Sequence, residues 1–227
     1  MKRSVKALSR RRPRGSLTRE QVVEAALALA DRRGLEALTI ANLAEQLQCG
    51  AMTIYGYVDS KEELLDAIAQ RGIRDLRLAR PLTPSPDGIL LAWGRALRET
   101  LIEHPALPFL FLVRAVVGPG IIRGVEMLLT RLTAAGMTTD AAVHAIYAVL
   151  TYATGYAAWE IPRTVLQKPA LYAGSWRREV AALPLEDFPL VSGAVGELAE
   201  VAGPAQFELG LTALVSGLTV RPSAAGT

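Results

Sequence analysis

Residues 39–58 read TIANLAEQLQCGAMTIYGYV, and no other stretch restricts the fold as much. Thr39 is placed to cap a helix, with Leu38 and Leu43 flanking the cap as a hydrophobic staple. Leu43, Ala44 and Leu47 form that helix's inner face, and Gln48-Cys49-Gly50 breaks the run. A helix of under ten residues then reaches about Tyr57. Two short helices separated by so brief a break make a helix-turn-helix, with Ile40, Leu43, Leu47 and Ile54 as their common core.

The flanks agree with an all-α head. Thr18 and Gln21 make a capping box, with Leu17 and Val22 as its staple, and Val22, Val23, Ala26, Leu27 and Ala30 follow the helical period up to Gly34. Ser60 and Glu63 open a fourth helix through Leu64, Leu65, Ile68 and Leu76. Pro81, Pro84, Pro86 and Gly88 then mark a domain seam. Beyond it the pattern predicts helices near 88–103, 106–117, 120–135, 139–161, 171–183 and 204–219. Strand-like alternation and internal repeats are absent. The expected organisation is a basic disordered arm (1–16), a helical head with a connecting fourth helix (17–79), a larger helical bundle (80–220) and a frayed tail (221–227).

Charge is unevenly placed. The first 14 residues hold seven Lys or Arg and no acid, whereas the remainder is net −4. A basic arm on a mildly acidic body points to a polyanion partner, the alternative being a solubilising tail. A single cysteine, Cys49, excludes an internal disulfide and fits a reducing, cytoplasmic setting; it reads as a small buried residue rather than a thiol sensor. Residues 141–159 carry no formal charge, but His144, Thr151, Thr154 and three tyrosines favour a buried bundle helix over a membrane span.

The helix-turn-helix places Ala51, Met52, Thr53, Tyr55 and Tyr57 toward DNA, where a second helix offers its outer side chains to base edges. The stretch AALALADRRGLEALTIANLAEQL, followed by TIYGYVDSKEELLDAI, resembles the TetR family of repressors over about residues 17–70. That resemblance implies DNA contacts by Thr39, Thr53, Tyr55, Tyr57 and Lys61, with Tyr55 and Lys61 on phosphates. Gln48 stands where the family often has Gly, Gly50 replaces a polar cap, and Ala41 and Ala51 replace basic or amide side chains. Base readout is therefore thin, and Arg10, Arg11, Arg12 and Arg14 of the arm are expected to supply part of the affinity.

The segment TDAAVHAIYAVLTYATGYAAWE resembles the effector domain of the tetracycline-repressor branch. There, this helix and the last one pair with their mates in a dimer. Ala148, Thr151, Gly155 and Ala158 give one helix a stripe of small residues, and Gly210, Ala213 and Gly217 give the last helix another; packing within one subunit is the alternative use. A homodimer doubles the DNA site that one short helix can read. Trp93, Leu97, His104, Phe109, Phe111, Tyr152, Tyr156, Trp159 and Trp176 are candidates to line a mostly apolar effector pocket, some of them serving the core instead. His104 and His144 lack the spacing of a metal cluster, and the acid expected just after the central Gly falls at or beside Trp159 and Glu160. No nucleophile–base constellation or phosphate loop is visible, so no catalytic residue, cofactor or metal is expected. The reading is a DNA-binding regulator released by a small apolar or aromatic effector. The rivals are an activator on the same fold and an architectural DNA binder without effector.

Overall fold

The structure is a computed structural model that describes residues 17–74, 76, 84–166 and 169–219. It divides into two compact units with the boundary between Arg74 and Asp75. Helices account for the regular structure of both, and no strand occurs among the described residues.

The first unit is built on α1 (Arg19–Arg33). Its capping box is present in both directions: Gln21 N–H donates to Thr18 Oγ1 at 3.2 Å, and Thr18 N–H donates to Gln21 Oε1 at 3.0 Å. Val22, Val23, Ala26, Leu27, Leu29 and Ala30 are buried along one side. The helix stops at Gly34, whose φ of 81° is open to glycine at little cost and whose N–H closes on Ala30. A 3₁₀ turn over Leu35–Ala37 leads to α2 (Ile40–Gln46), capped by Thr39 Oγ1, which accepts from Asn42 N–H at 3.1 Å. Then come α3 (Ala51–Tyr55) and α4 (Lys61–Arg74). Ser60 Oγ accepts from Glu63 N–H as the sequence predicts, but the Glu63 carboxylate returns to Asp59 N–H at 2.6 Å, one residue earlier than a capping box requires. That bond, and then Arg19 at 2.8 Å, hold the Glu63 carboxyl below its ordinary range.

The break between α2 and α3 turns on Gln48, the one non-glycine residue with positive φ (54°) among the described residues. An L-residue in this left-handed region costs about 1–2 kcal/mol. Gln48→Gly should therefore stabilise the head, by about 0.5–1 kcal/mol once glycine's larger loss of backbone entropy is subtracted. A chemical-denaturation midpoint by far-ultraviolet circular dichroism, unchanged or lowered by the substitution, contradicts this. Cys49 beside it is half-buried rather than sealed in the core.

The second unit contains α5 (Pro86–Glu103), α6 (Leu107–Val113), α7 (Pro119–Ala134), α8 (Thr139–Thr164), α9 (Pro169–Ala181), α10 (Pro189–Gly193), α11 (Val195–Glu200) and α12 (Pro204–Thr219). Three long helices, α5, α8 and α12, pack mutually at its centre. Gly94 allows their close crossing: a Cβ there would lie 2.7 Å from Leu211 Cδ1 and 3.1 Å from Val149 Cγ1. α9 packs chiefly on α11. The two short helices α10 and α11 fall in a stretch that its prolines made read as loop, and α8 runs three residues past the expected 161, through Pro162. Among the described residues no helix is long and apolar enough to cross a membrane.

Candidate nucleic-acid interface and effector unit

α3 is only five residues long, so its core side chain must fix it. Ile54 is fully buried with Leu43 and Val58, and Leu47 is nearly so, whereas Ile40 is only half-buried. The opposite side is free. Ala51 and Thr53 are exposed, Met52 is 81% exposed and Tyr55 47%. Thr39 is exposed at the start of α2, and its oxygen already accepts the cap bond, leaving its O–H to donate elsewhere. Lys61 is half-buried at the first position of α4.

Tyr57 departs from the expected outward role. It is half-buried, and its hydroxyl donates to the Leu17 carbonyl at 2.8 Å, tying the end of the helix-turn-helix to the chain entering α1. Tyr55, by contrast, has no hydrogen bond among the described residues. The arm residues Arg10, Arg11, Arg12 and Arg14 lie outside the described residues.

The aromatic candidates of the second unit are spread over four helices. Trp93 and Leu97 are buried on α5, His104 ends that helix, Phe109 and Phe111 are half-buried on α6, and Trp176 is half-buried on α9. Tyr152, Tyr156 and Trp159 form one cluster with Phe207, whose ring centre lies 5.4 Å from that of Tyr152 and 5.3 Å from that of Tyr156. Their phenols are already engaged: Tyr152 Oη donates to the Phe207 carbonyl at 2.9 Å, and Tyr156 Oη to the Gly203 carbonyl at 2.7 Å. Burial raises both phenol pKa values. These two tyrosines join α8 to α12, a use that the pocket reading did not foresee.

Sequence reasoning also missed Arg98. Its guanidinium meets both carboxylate oxygens of Glu160, at 2.9 Å and 2.5 Å, and lies 5.3 Å from the Phe207 ring centre. The two side chains are 16% and 3% exposed. Sixty-two residues separate them, and no local pattern announces such a pair.

The small-residue stripes divide. Thr151 and Gly155 are exposed and Ala148 and Ala158 half-buried on α8, while Ala213 and Gly217 are exposed on α12. A Cβ at Gly155 or Gly217 would meet nothing within 4 Å. Tyr147 (60% exposed) and Leu209 (66%) sit on the same two helices. Gly210 is different, because a Cβ there would run into the Tyr152 ring, 2.8 Å from Cζ. It belongs to packing within the subunit rather than to an open face.

Comparison with known proteins agrees with both units. Residues 22–68 match the family described as bacterial regulatory proteins, tetR family, and residues 87–221 match the tetracyclin repressor-like C-terminal domain. The HTH-type transcriptional repressor DrrR1 of Streptomyces coeruleorubidus is 32% identical over 92% of this chain and 80% of its own. The class A tetracycline repressor protein from transposon 1721 of Escherichia coli is 27% identical over 88% of this chain and 89% of its own. The TetR family protein ActR of Streptomyces coelicolor, crystallised with (S)-DNPA, superposes with a TM-score of 0.74 at 25% identity, covering 89% of this chain and 96% of that one. The chain belongs to the TetR family of bacterial transcriptional regulators.

Proposed function

We propose that this protein is a ligand-responsive repressor that acts as a homodimer. Two copies of α3 enter successive major grooves of a near-palindromic operator. The observation that carries the reading is the two-sided α3: Ile54 is fully buried while Ala51, Met52, Thr53 and Tyr55 stand exposed on the same five residues. Thr39, Thr53, Tyr55 and Lys61 set phosphate register, and the arm adds further cationic contacts. The open faces of α8 and α12, with Thr151, Gly155, Ala213 and Gly217, receive the second copy.

The effector binds the second unit. DrrR1 bears the name of a repressor and ActR was crystallised with a small molecule, which supports the same division of labour here. Release from DNA requires that the effector bind the non-binding state more tightly than the operator-binding one.

The test is fluorescence anisotropy with the duplex upstream of the protein's own coding sequence against a random duplex, across salt concentrations. Affinity for the upstream duplex should exceed that for random DNA by about 10³-fold or more. Both affinities should fall steeply with salt as counterions are released. Equal affinity for the two duplexes overturns specific regulation.

A further inference from the structure

We infer that the C-terminal end of α8, where Arg163 meets Tyr172 of α9, binds an aromatic organic anion, with Arg163 as the residue that reads its charge. The inference rests on the effector reading above in one respect: it assigns the effector to that chemical class.

Arg163 lies against two aromatic rings. Its guanidinium carbon lies 4.3 Å from the ring centre of Trp159 and 5.5 Å from that of Tyr172. Nη1 donates to the Trp159 carbonyl. Nε is buried and has no hydrogen-bond partner. No carboxylate lies within ion-pair distance of Arg163 among the described residues, although the acid three positions earlier is Glu160, which gives both its oxygens to Arg98. Arg19, Arg71, Arg95, Arg98 and Arg177 each have a carboxylate partner. Arg163 is thus a half-buried cation set against π faces, without a counter-ion among the described residues.

The edge left without a partner has a particular shape. With Nη1 turned to a carbonyl, Nε and Nη2 form the side-on fork that takes a carboxylate or sulfonate through two parallel hydrogen bonds. The surroundings are apolar. Val165 and Leu166, which follow α8, and Leu171, next to Tyr172 in α9, are exposed, and Trp176 follows Tyr172 by one turn of α9. A neutral aromatic ligand covers this surface but leaves the cation unneutralised, and a cationic one meets repulsion. An anion with an aromatic body satisfies both. Since Nε lies beneath the surface, the acid group of the ligand reaches the fork as the side chains over it move aside. Tyr172 is carried by α9, which packs chiefly on α11 rather than on the three central helices.

The experiment uses the full-length protein and 8-anilinonaphthalene-1-sulfonate, with N-phenyl-1-naphthylamine as its uncharged counterpart. Wild-type protein should bind the sulfonate about tenfold or more tightly than the neutral amine. Binding should be accompanied by energy transfer from tryptophan and should weaken with salt. Arg163→Gln should lower sulfonate affinity by about tenfold or more and leave amine affinity unchanged. Arg163→Lys, which keeps the charge but loses the fork, should fall between. The salt response of the wild type can refute the site even where a variant folds poorly, and Arg163→Lys ties a positive result to this residue. Equal affinity of the wild type for both probes, salt-independent sulfonate binding, or equal loss of both probes in Arg163→Gln overturns the site. Sulfonate binding through Arg163 that leaves operator affinity unaltered overturns the effector class alone. Absence of operator binding speaks against the regulator reading and leaves the anion site standing.

Discussion

Glu160→Ala should destabilise the second unit by about 3–5 kcal/mol, the usual consequence of removing one partner from a buried ion pair. The geometry argues for the upper part of that range. Both carboxylate oxygens are engaged by Arg98, and the pair is 16% and 3% exposed, so little water is at hand to replace the lost acceptor. The remaining guanidinium keeps the Phe207 ring at 5.3 Å, a cation–π contact worth about 0.5–2 kcal/mol, which does not offset a stranded charge. Replacing both partners with apolar residues of similar volume, Arg98→Met with Glu160→Leu, should recover most of the loss, because the desolvation of two charges disappears with their attraction. The measurement is unusually clean in this chain. Its three tryptophans, Trp93, Trp159 and Trp176, all belong to the second unit, so tryptophan fluorescence in urea reports that unit without the head. A loss below about 1 kcal/mol for Glu160→Ala would show the pair behaving as a solvated surface bridge.

The pair also shows where the sequence was legible and where it was not. Caps are local chemistry: Thr18, Gln21 and Thr39 announce helix starts within three residues, and the structure places bonds there at 3.0–3.2 Å. The two-sided character of α3 was legible for the same reason, since Ile54 is the one large aliphatic side chain in that helix. Arg98 and Glu160 have no such signature, because each occurs on a helix with a mixed surface and only the crossing of α5 with α8 brings them together. Tyr152 and Tyr156 were visible as aromatics, but whether a phenol lines a cavity or bonds a backbone carbonyl depends on where α12 runs. Gly210 shares helical spacing with Ala213 and Gly217, yet Tyr152 fills the space beside it. The prolines of 184–204 concealed two helices, since Pro189 occupies the first position of α10, where its missing N–H has no helical partner to lose.

The two tyrosines of the helix-turn-helix region should part company when each loses only its hydroxyl. Tyr55 is 47% exposed on α3 and its hydroxyl makes no bond within the described protein. In the proposed operator complex it reaches a phosphate, where a hydrogen bond to a charged group contributes about 1.5–3 kcal/mol. A dimer counts it twice, so Tyr55→Phe should weaken operator binding by about 100-fold or more while leaving thermal stability within about 0.5 kcal/mol. Tyr57 is the reverse case. Its hydroxyl donates to the Leu17 carbonyl at 2.8 Å in a half-buried setting. Tyr57→Phe should lower head stability by about 1–2 kcal/mol. At temperatures where the head stays folded, its operator affinity should stay within about threefold of wild type, because a folded head retains the α3 surface. Thermal denaturation followed by circular dichroism, paired with anisotropy on the upstream duplex, separates the two effects. A Tyr57→Phe variant that stays fully stable but loses the operator would return that residue to the DNA face; a Tyr55→Phe variant that binds normally would remove the strongest phosphate contact from α3.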